Sequence, residues 1–272
     1  KGLEEHMNMW VWLLRDVSWD PDFKATGKTA KAMFQIGQNQ DVDGVVAINQ
    51  WAILELIKAI GPIPPPDGGV AITANNVITV LEEATDLYGR AYLDLVLQGI
   101  LERLKSPTSL PDLIQVTSAM HRALESRDLL IFFDDPHLQA VINREGWSGE
   151  IEETKGDYLY VVDSNVGWSK VDRNIERNVS YLVDLSKFGR PRATLEVEYV
   201  NHSSPGSSPC EPQWQNRGEN YHQISNACYW NFTRVYLPIR SNLLHKTPLP
   251  LPKSSVSAEI GIGKTGQDTG LL

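Results

Sequence analysis

Arg15, Asp16, Asp20 and Asp22 crowd into one short loop directly ahead of a stretch with helical periodicity. Carboxylates and a guanidinium at that spacing could hold a hard cation through oxygen ligands. They could equally hold an anion at the amides of a helix start. The plainer reading of the same residues is structural. Asp22 caps the helix that follows, and Lys24, Lys28 and Lys31 form its solvated face.

Other stretches imitate chemistry without its context. Gly27-Lys28-Thr29 and Gly263-Lys264-Thr265 share the end of a phosphate-binding loop. That loop also needs an earlier glycine so that backbone amides can wrap the phosphate. Asp22 and Ala258 stand at those positions, and neither stretch lies between a strand and a helix. The histidines, His6, His121, His137, His202, His222 and His245, include no i,i+4 pair and have no Ser or Cys partner in a nucleophile elbow. Asn178, Asn201 and Asn231 match the Asn-x-Ser/Thr acceptor pattern formally, but all three lie on or beside predicted strands.

The formal charge of -9 argues against a nucleic-acid partner, because phosphate backbones are met by Lys and Arg. No apolar run approaches the roughly 18–20 residues that cross a bilayer as a helix. Cys210 and Cys228 are the only cysteines, in a polar, aromatic-rich stretch over residues 203–230. They have neither Cys-x-x-Cys nor zinc-ligand spacing. A disulfide between them would contribute roughly 3 kcal/mol in the chain-entropy model and would place the chain in an oxidising compartment. Two unrelated thiols are the alternative. The Pro212 to Trp230 aromatics and asparagines could bind sugar, or could simply support that pinned loop.

The elements that must position these residues fall into unlike halves. Asp22 caps a helix to about Gln35, with Phe23, Ala30 and Phe34 on one face. Residues 42–48 suit a buried strand, and Asn49 caps a helix that Gly61-Pro62 stops. Thr73 caps a third helix to about Ala84, and residues 90–105 and 111–126 read as two more. Residues 129–133 form a strand, and Asp135-Pro136 opens a short helix ending near Gly146. Strands alternating with helices imply an α/β fold, a sheet covered by helices, over residues 1–147. Beyond Trp147 the period changes. Residues 158–162 are a continuous apolar run, while Val179, Tyr181, Val183 and Leu185, then Leu195, Val197 and Tyr199, alternate with other residues. Residues 232–237 add a strand, and Phe188-Gly189-Arg190-Pro191 suits a hairpin connection. Residues 148–246 therefore read as antiparallel β, and residues 247–272 as a Pro/Gly/Ser-rich linker or tail.

Several strings in this order resemble a known family. They are Trp12-Leu13-Leu14-Arg15-Asp16-Val17-Ser18-Trp19-Asp20-Pro21-Asp22-Phe23, then Asp43-Gly44-Val45-Val46-Ala47-Ile48-Asn49 and Ile60-Gly61-Pro62. Further on come Arg127-Asp128-Leu129-Leu130-Ile131-Phe132-Phe133-Asp134-Asp135-Pro136 and Tyr158-Leu159-Tyr160-Val161-Val162-Asp163-Ser164-Asn165-Val166-Gly167. Together they resemble the bacterial domain-of-unknown-function family 4012, large membrane-anchored extracytoplasmic proteins, over residues 12–237. Residues 43–62 are also similar to the corresponding unit of LytR-CpsA-Psr proteins. Those proteins attach polyprenyl-pyrophosphate-linked glycans to the cell wall, using arginines and magnesium-binding aspartates.

The first resemblance implies an extracytoplasmic envelope protein, held to the membrane by a segment absent from this chain. Its expected role is structural, or binding of envelope glycan or neighbouring envelope proteins. The second implies an alternative, a phosphotransferase acting on polyprenyl phosphate. In it Arg15 and Asp16 would serve catalysis, and Asp16 and Asp20 would hold Mg²⁺.

Overall fold

The computed structural model describes residues 4, 7, 9–11, 13–66, 68–88, 90–105, 109–151, 154–187, 189–204, 220–239, 241–246, 258–262 and 269–271. The chain is of mixed α/β class, helices with small and mostly antiparallel sheets. It divides into two units, Val11–Glu153 and, together with Lys1–Trp10, Thr154–Leu272.

In the first unit a short 3-10 helix, Leu14–Trp19, leads to α1, Phe23–Gln38. Asp22 caps α1 by accepting the Ala25 amide at 3.1 Å. Asn39 closes it at φ 51°, a left-handed conformation that asparagine tolerates better than most residues. β1, Gly44–Ile48, runs into α2, Gln50–Ile60, whose cap Asn49 accepts the amides of both Trp51 and Ala52. Gly61 ends that helix at φ 79°, where a side chain would be strained.

Three further helices follow: α3, Val77–Tyr88; α4, Arg90–Lys105; and α5, Leu110–Glu125. α3 starts later than the Thr73 cap predicts. The Asn76 side-chain oxygen accepts the Thr73 amide at 2.7 Å and the Thr73 hydroxyl at 3.1 Å, so residues 73–76 form a turn first. β2, Leu129–Phe133, pairs antiparallel with β1, from Gly44 opposite Phe133 to Ile48 opposite Leu129. Asp135 then caps α6, Pro136–Arg144.

Helices cover both faces of this two-stranded sheet. On one face α1 comes so close that a Cβ on Gly27 would lie 2.7 Å from the Phe132 ring. On the other, Leu129 packs with Ala52 of α2 and with Ala123 and Leu124 of α5. The small Ala52 and Ala123 side chains, both fully buried, let those helices approach closely. The larger core lies among α2, α3 and α4, where Ile53, Leu56 and Ile57 meet Val77, Val96 and Ile100. Among the described residues β1 pairs with β2 alone, and Val46 and Ile48 remain exposed.

Residues just beyond Trp147 are tied into this unit. The Trp147 carbonyl accepts the Ile131 amide, the Gly149 carbonyl accepts the Phe23 amide, and the Ile151 amide donates to Asp22 Oδ2 at 3.2 Å. The structural division therefore lies between Glu153 and Thr154, later than the change of period at Trp147.

The second unit carries two separate sheets. β3, Tyr160–Asn165, pairs antiparallel with β6, Asn231–Leu237. β4, Ile175–Asp184, and β5, Arg192–Asn201, form a long antiparallel ribbon, in register from Ile175–Asn201 to Asp184–Arg192. A short helix, α7, Tyr221–Ser225, precedes β6. The stretch read as linker or tail contains β7, Ala258–Ile262, parallel to β6, and β8, Thr269–Leu271, antiparallel to β7. Pairing with β6 supplies the order that the Gly-rich sequence there does not advertise. Phe188, in the expected hairpin connection, lies outside the described residues, while the strands it joins pair as expected.

The Gly27–Phe132 approach leaves no room for a side chain. Gly27→Ala should lower unfolding stability in urea by about 1–3 kcal/mol, the range for overpacking a filled core.

Candidate functional site

The loop that singled itself out by composition is assembled, and its acidic groups face inward to its own backbone. Asp16 accepts the Leu13 amide at 3.1 Å, and the Asp16 amide donates back to the Leu13 carbonyl at 2.8 Å. Asp20 accepts the Asp22 amide at 2.9 Å. Asp22 spends one oxygen on the Ala25 amide and the other on the Ile151 amide. Thr26 fastens the loop from above, its hydroxyl within hydrogen-bond reach of the carbonyls of Val17 at 3.2 Å and Asp20 at 2.9 Å. Trp12, which opens the resembling string, lies outside the described residues.

Arg15 lies 3.6 Å from Asp16, a loose pair with the arginine side chain 43% exposed. Such a contact contributes little on its own. Its positive charge also opposes a second cation on the same carboxylate. Asp16 and Asp20 each give one carboxylate oxygen to a backbone amide, and Asp20 stays exposed. Among the described residues no group of three or more His, Cys, Asp or Glu side chains gathers as a metal site.

Lys24, Lys28 and Lys31 do not act as one basic patch. Lys24 pairs with Glu150 at 3.1 Å, and Lys31 pairs with Asp134. Glu150 also accepts Asn143 at 3.0 Å, Asn143 accepts Gln139, and Gln139 takes the Phe133 amide. That chain of bonds fixes α1, α6 and the outer edge of β2 to one another. Gly27-Lys28-Thr29 sits in the middle of α1, in no phosphate-binding geometry.

The densest polar constellation is elsewhere, on residues that composition did not single out. Asp163 on β3 lies directly opposite Thr233 on β6, and Arg177 on β4 lies directly opposite Tyr199 on β5. The two cross-strand pairs converge. One oxygen of Asp163 accepts the Tyr199 hydroxyl at 2.5 Å, the Asn231 amide at 2.7 Å and the Thr233 hydroxyl at 3.1 Å. The other accepts Arg177 Nη1 at 2.6 Å. Burial pushes the Asp163 pKa upward. The bonds from Tyr199, Asn231 and Arg177, with the arginine charge, outweigh that and hold it below the usual carboxylate range. Burial, and then the bond to Asp163, push the Tyr199 phenol up to about 12. The Tyr229 ring, 5.9 Å from that of Tyr199, is raised by burial and by the Asp163 charge.

The turn after β3 is equally prescribed. Asn165 accepts the Gly167 amide at 2.9 Å and donates to Asp172 at 2.7 Å. A Cβ on Gly167 would meet Trp230 at 3.0 Å, and Trp168 adopts φ 56°. None of these groups forms a nucleophile–base pair. The constellation joins four strands rather than presenting a reactive atom. An aspartate directly after the apolar run 158–162, with Arg and Tyr at alternating positions on later strands, is the sequence signal that could have pointed to it.

Of the cysteines, Cys228 lies in the described segment between α7 and β6. Cys210 lies outside the described residues, as does the expected bond between them. Of the acceptor-like asparagines, Asn231 is spent on the Asp163 cluster and Asn201 donates to the Ala227 carbonyl at 2.9 Å.

Two outcomes follow from the carboxylates. Asp22→Ala removes the α1 cap and the bond to Ile151, and should lower stability by about 1–2 kcal/mol in denaturant titrations. Asp163 has its pKa lowered by folding, so its contribution is fully present above the unfolded carboxylate value and is lost as pH falls through the lower folded value. The stability difference between the protein and Asp163→Asn should therefore be constant at neutral pH. It should shrink only below about pH 4, near the ordinary Asp pKa, as followed by urea unfolding across pH.

Comparison with known proteins places one stretch of the chain. The family model described as "Protein of unknown function (DUF4012)" matches residues 3–85, which span the acidic loop, α1, β1, α2 and the start of α3. No curated protein and no solved structure matches the chain. The unknown-function family is thus the one that this N-terminal stretch resembles.

Proposed function

We propose that this chain is an extracytoplasmic cell-envelope protein whose role is structural, or the binding of envelope glycan or a neighbouring envelope protein. The observation that carries the non-catalytic reading is the use made of its acidic side chains. Asp16, Asp20 and Asp22 close their own loop, and Asp163 joins strands. Each of these carboxylates makes at least one bond that serves the fold itself, and that architectural use is the support for the non-catalytic reading. The extracytoplasmic setting rests on the resemblance of residues 3–85 to the unknown-function family and on a proposed Cys210–Cys228 disulfide.

A phosphotransferase acting on polyprenyl-pyrophosphate-linked glycan would need Arg15 to meet phosphate, and Asp16 and Asp20 to take Mg²⁺. The bonds those two aspartates make to backbone amides weigh against that alternative.

Co-sedimentation with purified bacterial cell-wall glycan separates the readings. Binding that persists with EDTA and in Arg15→Ala is expected. Mg²⁺-dependent binding of polyprenyl phosphate, lost in Arg15→Ala, would overturn the proposal in favour of the enzyme. The compartment has its own readout. Protein prepared without reductant should show no alkylatable thiol by intact mass, and two labelled cysteines would remove the disulfide from the argument.

A further inference from the structure

We propose that the β4–β5 ribbon is an arm that opens as a unit from the β3–β6 sheet, with the Asp163 carboxylate as the clasp that holds it shut. Each strand of the ribbon has ten residues, so it extends about 33 Å at the usual rise per residue. Among the described residues its strands pair only with each other, and most of their side chains are exposed. A lone two-stranded ribbon is marginal in water. Whatever fastens its base therefore decides whether it stays down.

The fastenings are few and fall in a definite order. At the root, the His202 amide donates to the Asn174 carbonyl at 2.8 Å, and the Asn201 side chain donates to the Ala227 carbonyl at 2.9 Å. Next along the ribbon come Arg177 and Tyr199, directly opposed, both bonded to Asp163. The last tie is the Tyr181 hydroxyl to Asp157 at 3.0 Å. Past Tyr181, no hydrogen bond among the described residues joins the ribbon to the sheet. On the sheet side Asp163 is held in place by Asn231 and Thr233, so the clasp stays put when the arm leaves. The root bonds close to the chain's entry and exit points can persist as the hinge. The Asp163 and Asp157 bonds must break, as must the contacts of Arg177 with the Val161 carbonyl at 3.4 Å and of the Tyr199 hydroxyl with Thr233 at 3.1 Å, and the ladder between β4 and β5 need not.

This arrangement makes opening a sub-global event distinct from unfolding. Native-state hydrogen exchange on the full chain, read by peptide mass spectrometry, tests it directly. In Asp163→Asn, peptides spanning residues 175–184 and 192–201 should exchange about tenfold faster or more, the scale for losing charge-assisted hydrogen bonds. Peptides from β3, β6 and the first unit should keep their original rates. Glu196→Gln, an exposed change on the same ribbon, on the opposite face from Arg177 and Tyr199, should leave every rate unchanged. Should Asp163→Asn fail to fold, Tyr199→Phe removes one clasp bond and should give the same pattern at smaller amplitude. Uniform acceleration across β3, β6 and the ribbon would overturn the proposal, as would a ribbon indifferent to both clasp variants.

Discussion

A carboxylate withdrawn from water has to have its lone pairs answered, and that requirement organises much of this molecule. The chain carries 34 acidic residues against 25 Lys and Arg. Its most constrained acids are not arrayed for a ligand. Asp22 meets two backbone amides from segments far apart in sequence, and so joins the start of α1 to the chain at Ile151. Glu150 gathers Lys24 and Asn143. Asp163 gathers donors from β4, β5 and β6 around a residue of β3. Each is a charged acceptor ringed by donors, the arrangement that makes a partly buried charge stabilising and its removal expensive.

This use of charge explains why the same residue types can suggest catalysis from sequence and serve architecture in space. Asp16, Asp20 and Arg15 have the composition of a phosphate or metal site. Spacing alone does not reveal which carboxylate oxygens the backbone has already claimed. Here Asp16 and Asp20 each give one oxygen to an amide of their own loop, a use that spacing does not show.

Much of the first unit was legible because its signals are local. Asp22, Asn49 and Asp135 each stand immediately before the helices they cap. Helical spacing of apolar residues located α2, α4 and α5 closely. β1 and β2 read as short apolar runs, and their direct antiparallel pairing became apparent only in space. A turn over residues 74–76 delays the regular start of α3 to Val77, while Thr73 keeps a capping part: its carbonyl accepts the Val77 amide at 2.9 Å and Asn76 reaches back to its own amide. The second unit was legible as strands but not as a site. Asp163, Arg177, Tyr199 and Asn231 are scattered along the chain, and only the two strand registers bring them together. Long-range pairing carries no local mark. The pairing of β7 with β6 escaped notice for the same reason.

The exposed side of β1 bears on how the protein behaves in company. Val46 and Ile48 stand outward on a strand whose far side has no strand beside it among the described residues. Such an edge is a ready template for another extended chain. Concentration therefore becomes a structural variable. Because antiparallel residues alternate in aiming their backbone groups at the partner and at the open edge, only part of the five-residue β1 is without a strand partner among the described residues.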